Sequence, residues 1–180
     1  EIVRINHIIR QLLDMSRTSA DEAKSISIHL LLQDLIAVFN YQPTADQIVF
    51  ESRFEAGEDR VHADPDRLRQ VFLNILLNAV DALNADLPSD PQILLATANL
   101  VSDEQVKSIE VIIQDNGPGI PSSHLSRVFD PFFTTKQPGK GTGLGLSVSF
   151  MIIEKLGGRL SASRLEDSGA AFRVVLPLAR

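Results

Sequence analysis

Apolar positions Ile2, Ile5, Ile9 and Leu12 recur at spacings of three and four, flanked by Ile8, Leu13 and Met15. This pattern predicts an amphipathic helix over 1–15, either the tail of a helical bundle element or a helix packed on its own domain. Ser16 to Ser27 is polar and aperiodic and reads as a linker, and the Leu/Ile-dense stretch His29 to Phe39 predicts a second helix. Ile48, Phe50 and Phe54 alternate with charged residues as in a half-buried strand, and Val61 to Ala63 is a short second strand. Asp64-Pro65 marks a helix start, with the Asp as cap and the Pro in the first turn, and the helix should run to about Leu83.

Beyond it, Gln92–Val101 and Val106–Gln114 predict a hairpin joined by the polar turn 102–105. A Gly/Pro loop, a helical turn near Ser123–Val128 and a Gly-rich loop over 134–141 follow. A helix from about Leu144 to Leu156 stops on Gly157-Gly158, and Leu160–Leu165 and Ala171–Leu176 read as two final strands. Helices and antiparallel strands segregate rather than alternate, which argues for an α/β two-layer sandwich with a mostly antiparallel sheet.

The chain of 180 residues, 44% hydrophobic and 22% charged, can bury one domain core. A net charge of -6 without clustered Lys and Arg argues against a nucleic-acid surface, yet a single triphosphate needs only a few N–H groups and one or two cations. There is no Cys, and His7, His29, His62 and His124 are scattered without the spacing of zinc ligands. No apolar run is long enough to cross a bilayer, so no membrane contact is expected of this segment, which reads as soluble and cytoplasmic. The start on Glu1, directly in helical pattern, reads as a piece of a longer protein.

Three stretches carry candidate chemistry. On the helix opening at Pro65, Gln70, Asn74, Asn78 and Asp81 share one face amid apolar positions. An amide in such a helix needs a partner, and an Asn carbonyl is a hard ligand suited to Mg2+; a solvated polar face is the alternative. In Asp115-Asn116-Gly117-Pro118-Gly119-Ile120 a strand-end Asp can accept from an exocyclic amine, with glycines letting the backbone approach a flat ligand, although the same pattern makes an ordinary turn. Gly139-Lys140-Gly141-Thr142-Gly143-Leu144-Gly145-Leu146 opens into a helix, placing N–H groups where polyphosphate can sit; it matches neither a P-loop nor a dinucleotide fingerprint. Lys136 and Lys140 are either phosphate ligands or solvated loop lysines. A flexible linker rarely leads into Leu144, Leu146, Val148 and Met151.

Together these stretches resemble the ATP-binding family that groups histidine kinases with gyrase, mismatch-repair and chaperone ATPases. Asn74 to Ala82 is similar to its N box, Asp115 to Ile120 to the G1 box, Phe129-Asp130-Pro131-Phe132-Phe133 to the F box, and Gly139 to Leu146 to the G2 box. The G1-to-G2 spacing, Thr134-Thr135-Lys136 after the Phe-rich stretch, and the Gly-Thr-Gly-Leu-Gly-Leu ending resemble histidine kinases in particular, and the likeness covers about His29 to Arg180.

The resemblance implies a Bergerat-type ATP-binding fold, with residues 1–17 as the end of a dimerisation and phosphotransfer hairpin, 18–28 as linker and 29–180 as catalytic domain. It implies ATP and Mg2+, a response regulator receiver domain as partner, and a homodimeric parent protein, possible membrane anchoring of which the sequence leaves open. Asp115 would bind the adenine amine, Gly117, Gly119 and Ile120 would shape its pocket, Asn78 would coordinate Mg2+, and Asp81 would line the phosphate end. Asn74 would position or activate the nucleophile. Lys136, Lys140, Gly141, Thr142, Gly143, Leu144, Gly145 and Leu146 would meet phosphates as part of a lid, anchored by Phe132 and Phe133.

None of the four His is followed by the family's acidic residue and Pro, so the phosphoacceptor is expected outside this sequence. Where relatives carry Gly-Thr-x-Phe before the last strand, Gly169-Ala170-Ala171-Phe172 lacks the hydroxyl, at a cost of about 1 kcal/mol in a water-mediated adenine contact. An ATP-hydrolysing switch of the same fold and a non-catalytic nucleotide-sensing module are the alternative readings; the first is disfavoured because Asn74 is a poor base.

Overall fold

A computed structural model describes residues 23–86, 88–102, 105–136, 141–166 and 168–179. The helix expected over 1–15, the segment 1–17 and Lys140 lie outside the described residues.

The first described element corrects the linker reading over its last residues: Lys24–Ser27 is a strand, β1, feeding helix α1 (Ile28–Phe39). Strand β2 (Val49–Phe54) and strand β3 (Arg60–Ala63) precede helix α2 (Pro65–Ala85). The long hairpin is β4 (Gln92–Ser102) and β5 (Gln105–Asp115), followed by one helical turn, α3 (Ser122–Leu125). Helix α4 (Gly145–Lys155) leads to β6 (Arg159–Arg164) and β7 (Ala170–Pro177).

Five strands form one sheet in the order β2-β4-β5-β7-β6, and β1 pairs antiparallel with β3 in a separate ribbon. Every pairing in the large sheet is antiparallel except β2 with β4. Helix α2 packs against both α4 and β5. Its apolar side chains Leu68, Val71, Phe72, Ile75, Leu76 and Leu83 are fully buried in one core cluster with the sheet's Ile93, Leu95, Ile109 and Val111. A two-layer α/β sandwich results, as the segregated pattern predicts.

The starts of α1 and α2 are capped by side chains. Asp64 accepts from the N–H groups of Asp66 at 2.9 Å and Arg67 at 3.4 Å, and Pro65 occupies the first turn. Ser27 accepts from Leu30 N–H at 3.2 Å while its own hydroxyl donates to Asp59. Asp59 also accepts from His29 N–H at 3.1 Å, so the α1 start is fastened to the residue preceding β3. The His29 ring stacks on Phe54 at 5.0 Å and meets the Thr97 hydroxyl at 2.8 Å, tying the same corner to β2 and β4.

Burial pushes the Asp59 carboxyl up, but the Ser27 hydroxyl, the His29 N–H and the nearby His29 and Arg60 charges together hold it below the ordinary value of 3.8. A depressed folded-state pKa stabilises the fold above the unfolded value, and that contribution disappears as pH falls through the folded value. The stability of the chain is therefore expected to decline on acidification below about pH 4, and Asp59→Asn should flatten part of that decline. Urea unfolding of both proteins between pH 7 and pH 3 measures it; parallel stability profiles would refute the assignment.

Candidate functional site

The site lies along the polar face of α2, and its ends are set by two loops. At the strand end, the buried alternation of Ile109, Val111 and Ile113 on β5 continues to Asp115, whose side chain is therefore directed to the helix-covered face and is only 4% exposed. Its Oδ1 accepts from Gly117 N–H at 3.0 Å. Burial pushes the Asp115 carboxyl above its ordinary value, opposed by the backbone N–H groups of Gly117 and Ala170. Asn116 staples the loop to the start of β4, accepting from Gln92 N–H at 2.8 Å and donating to Asp90 O at 2.7 Å. Ile120 packs on the core.

The loop carrying Asp115 touches α2. A Cβ at Gly117 would lie 3.6 Å from the Ala82 carbonyl carbon and from Leu83 Cδ2. Asn78 is one turn back, about 6 Å along the axis, and Asn74 about 6 Å further. The structure thus lines up an acidic pocket, an amide and a second amide on one helix face.

In the middle of this line, the Lys136 ammonium donates to Asn78 Oδ1 at 3.2 Å and to Asp81 Oδ2 at 2.5 Å. Two hard oxygens, one of them anionic, already converge on a cation, and this donor chemistry fits Mg2+. Lys136 joins the site from 55 residues away in sequence, its own N–H donating to Thr134 Oγ1 at 3.2 Å.

At the far end, Asn74 Nδ2 donates to Gly145 O at 3.0 Å and to Ser149 Oγ at 3.2 Å, so the amide pins α2 to the first turn of α4. Among the described residues its carbonyl oxygen takes no side-chain hydrogen bond, and it is the atom that can serve a ligand. Ser149, fully buried, is a supporting residue that the sequence reading missed, because a single Ser in an apolar helix carries no local signal.

The Gly-rich run is divided by function of backbone and side chain. Thr142 Oγ1 accepts from Leu144 N–H at 3.3 Å. Gly143, at φ 67°, lies so close to Phe132 that a Cβ would sit 2.6 Å from the Phe132 carbonyl oxygen, and Phe132 N–H donates to Gly143 O at 2.9 Å. Gly141 similarly adjoins Thr134 and Lys136, and Gly145 faces the Asn74 amide.

Two of the expected contacts take a particular form. The Leu144 side chain is fully buried and Leu146 packs against the core, so anything these residues offer a phosphate comes from the main chain. Of the two Phe expected as anchors, Phe133 sits under the Arg127 guanidinium at 4.7 Å and edge-on to His124, whereas the Phe132 side chain is 62% exposed. Phe132 holds the loop through its backbone, at an uncommon φ of 67° for a bulky residue.

Opposite Asp115 in the β5–β7 register stands Ala170, preceded by a turn that leans on the Asp115 loop. A Cβ at Gly119 would lie 2.6 Å from Gly169 O, and one at Gly169 would collide with the Asp115 carbonyl, so these two chain segments meet backbone to backbone. Ser168 Oγ donates to Gly117 O at 2.6 Å.

Comparisons with known proteins give the family and the fold. The family model described as histidine kinase-, DNA gyrase B-, and HSP90-like ATPase matches residues 63–180. The signal transduction histidine-protein kinase AtoS of Escherichia coli (strain K12) is 36% identical over 178 residues, covering 99% of this chain and 28% of AtoS. The chain thus spans well under half the length of that curated relative. The nucleotide-free catalytic domain of histidine kinase ThkA aligns with a TM-score of 0.72 at 28% identity, covering 87% of this chain and 95% of that one. ThkA solved in complex with response regulator protein TrrA shares the fold, with a TM-score of 0.76 at 24% identity over 99% of this chain and 48% of that chain.

Proposed function

This chain belongs to the family of histidine kinase-, DNA gyrase B- and HSP90-like ATPases, and from that premise we propose that it is the ATP-binding catalytic domain of a two-component sensor histidine kinase. The observation that carries the proposal is the line along α2: a buried Asp115 at one end, Asn78 and Asp81 around a cation in the middle, and Asn74 beside the α4 start at the other. That succession matches adenine, a metal-bridged triphosphate and a reacting γ-phosphoryl group.

In this function Asp115 accepts from the adenine amine. Gly117 fixes the carboxylate's orientation, and the glycine contacts keep the loop close enough to hold a flat base. Asn78 and Asp81 would hold Mg2+, which when bound neutralises phosphate charge. Lys136 exchanges its two side-chain acceptors for phosphate oxygens, a trade favoured by the greater charge of a triphosphate. The Thr142–Gly145 backbone at the α4 start offers N–H groups to the same phosphates.

Asn74, whose amide donors are bound by Gly145 and Ser149, orients an incoming nucleophile through its carbonyl and abstracts no proton. The nucleophile is a His of a helical hairpin, the γ-phosphoryl group passes to it from ATP, and a response regulator receiver domain accepts it next. The histidine-kinase relatives support this reading, as does ThkA, whose complex holds a response regulator. Dimerisation through the hairpin belongs to the parent protein in the same reading. Among the described residues no helix is long and apolar enough to cross a membrane.

Calorimetric titration with a non-hydrolysable ATP analogue should give binding that strengthens on adding Mg2+. Asn78→Ala should lose that increment by about tenfold or more while retaining Mg2+-independent binding. With γ-labelled ATP and a separately supplied hairpin bearing an acceptor His, label should appear on the hairpin. Rapid release of inorganic phosphate without any transfer would instead favour a hydrolysing switch.

A further inference from the structure

Outside the residues already assigned, one side chain is built into the base end of the site. Ser168 donates to Gly117 O at 2.6 Å, while Gly117 N–H donates to Asp115 Oδ1 at 3.0 Å. Both polar atoms of Gly117 are therefore held, one by the residue proposed to read the base and one by the β6–β7 turn. That turn is itself closed by Leu165 N–H donating to Gly169 O at 3.1 Å, and it contacts the Asp115 loop through the Gly169 and Gly119 backbones.

A glycine between two such bonds has no side chain to restrict it. Removing either bond releases rotation of the adjacent peptide units. The carboxylate direction of Asp115 then depends on Ser168 through Gly117, which is bonded to both. The Ser168 hydroxyl hydrogen is committed to Gly117 O.

We infer that Ser168 is a positioning residue for purine recognition, aligning the Asp115 carboxylate through Gly117 so that the site prefers a 6-amino purine to a 6-oxo purine. The inference rests on the reading of Asp115 as the base-binding group. The chemistry is that of one fixed acceptor: a carboxylate oxygen attracts the amine of adenine and repels the carbonyl of guanine, and the discrimination is as sharp as the carboxylate is fixed.

The test is calorimetric titration of the whole chain with non-hydrolysable ATP and GTP analogues, for the wild type, Ser168→Ala and Ser168→Thr. Ser168→Ala should weaken ATP-analogue binding by about three- to tenfold, the span of one hydrogen bond, and lower the ATP/GTP preference by a similar factor. Ser168→Thr, keeping the hydroxyl, should restore both.

A merely structural role would lower thermal stability and leave the preference ratio where it was, and that result overturns the proposal. Should Ser168→Ala not fold, Ser168→Cys, with a similar shape and a weaker donor, carries the same ratio measurement. Wild-type protein that binds neither analogue would refute the nucleotide reading and this inference with it, whereas wild-type binding with an unchanged ratio in the variants refutes this inference alone.

Discussion

Replacing Asp115 by Asn should reduce ATP-analogue affinity by about a hundredfold or more and leave the fold intact. The carboxylate is 4% exposed, takes the Gly117 N–H on Oδ1, and is also approached by the Ala170 N–H. An ionised carboxylate offers acceptors only. An amide of the same shape must turn its NH2 either toward Gly117, putting two donors against each other, or toward the ligand, where it meets the adenine amine donor to donor.

A charge-assisted hydrogen bond is exchanged for an unsatisfied donor in a buried place, which is worth roughly 3 kcal/mol, or about a hundredfold. The fold should tolerate the change, since burial already disfavours the charge, as the upward displacement of the Asp115 carboxyl records. Calorimetry gives the affinity and thermal melting the fold. Affinity within about threefold of the wild type, with an unchanged melting temperature, would remove Asp115 from base recognition.

The second large effect concerns stability. Phe72→Ala should cost about 3–5 kcal/mol, because the ring is fully buried in the core and its removal leaves a cavity as well as a lost transfer term. For a chain of this size that corresponds to a fall in melting temperature of roughly 6–20 °C. Leu77→Ala on the same helix is the control: its side chain is 39% exposed, and its truncation should cost about 1 kcal/mol or less. Urea unfolding of the two variants measures both values. A loss below about 1 kcal/mol for Phe72→Ala would mean that the layer between α2 and the sheet is not the tightly packed core described above.

The helix carrying these residues was legible in the chain itself. Asp64, Pro65 and the apolar spacing from Leu68 to Leu83 are local, and capping and burial of one face need no knowledge of partners. The same holds for β4 and β5, whose long alternation on either side of a short turn pairs with itself. β1 was not legible, because four residues are too few to display a period and its pairing partner, β3, lies more than thirty residues on. Nor was the parallel pairing of β2 with β4, which is decided by register across an intervening helix.

The candidate site divides in the same way. Asn74, Asn78 and Asp81 announce themselves as polar residues on an apolar helix, and Asp115 and the glycines as a turn at a strand end. The sequence alone could not show that Asn74 is tied to Ser149, that Lys136 reaches Asn78 and Asp81, or that Ser168 holds Gly117. Nor could it separate Leu144, whose side chain belongs to the core, from the glycines around it.

The elements and the face each presents follow from neighbouring residues, since helix and strand periods are local properties. Which loop lies on which helix and which carboxylate is buried depend on the folded chain, because those are set by contacts between residues far apart in the sequence.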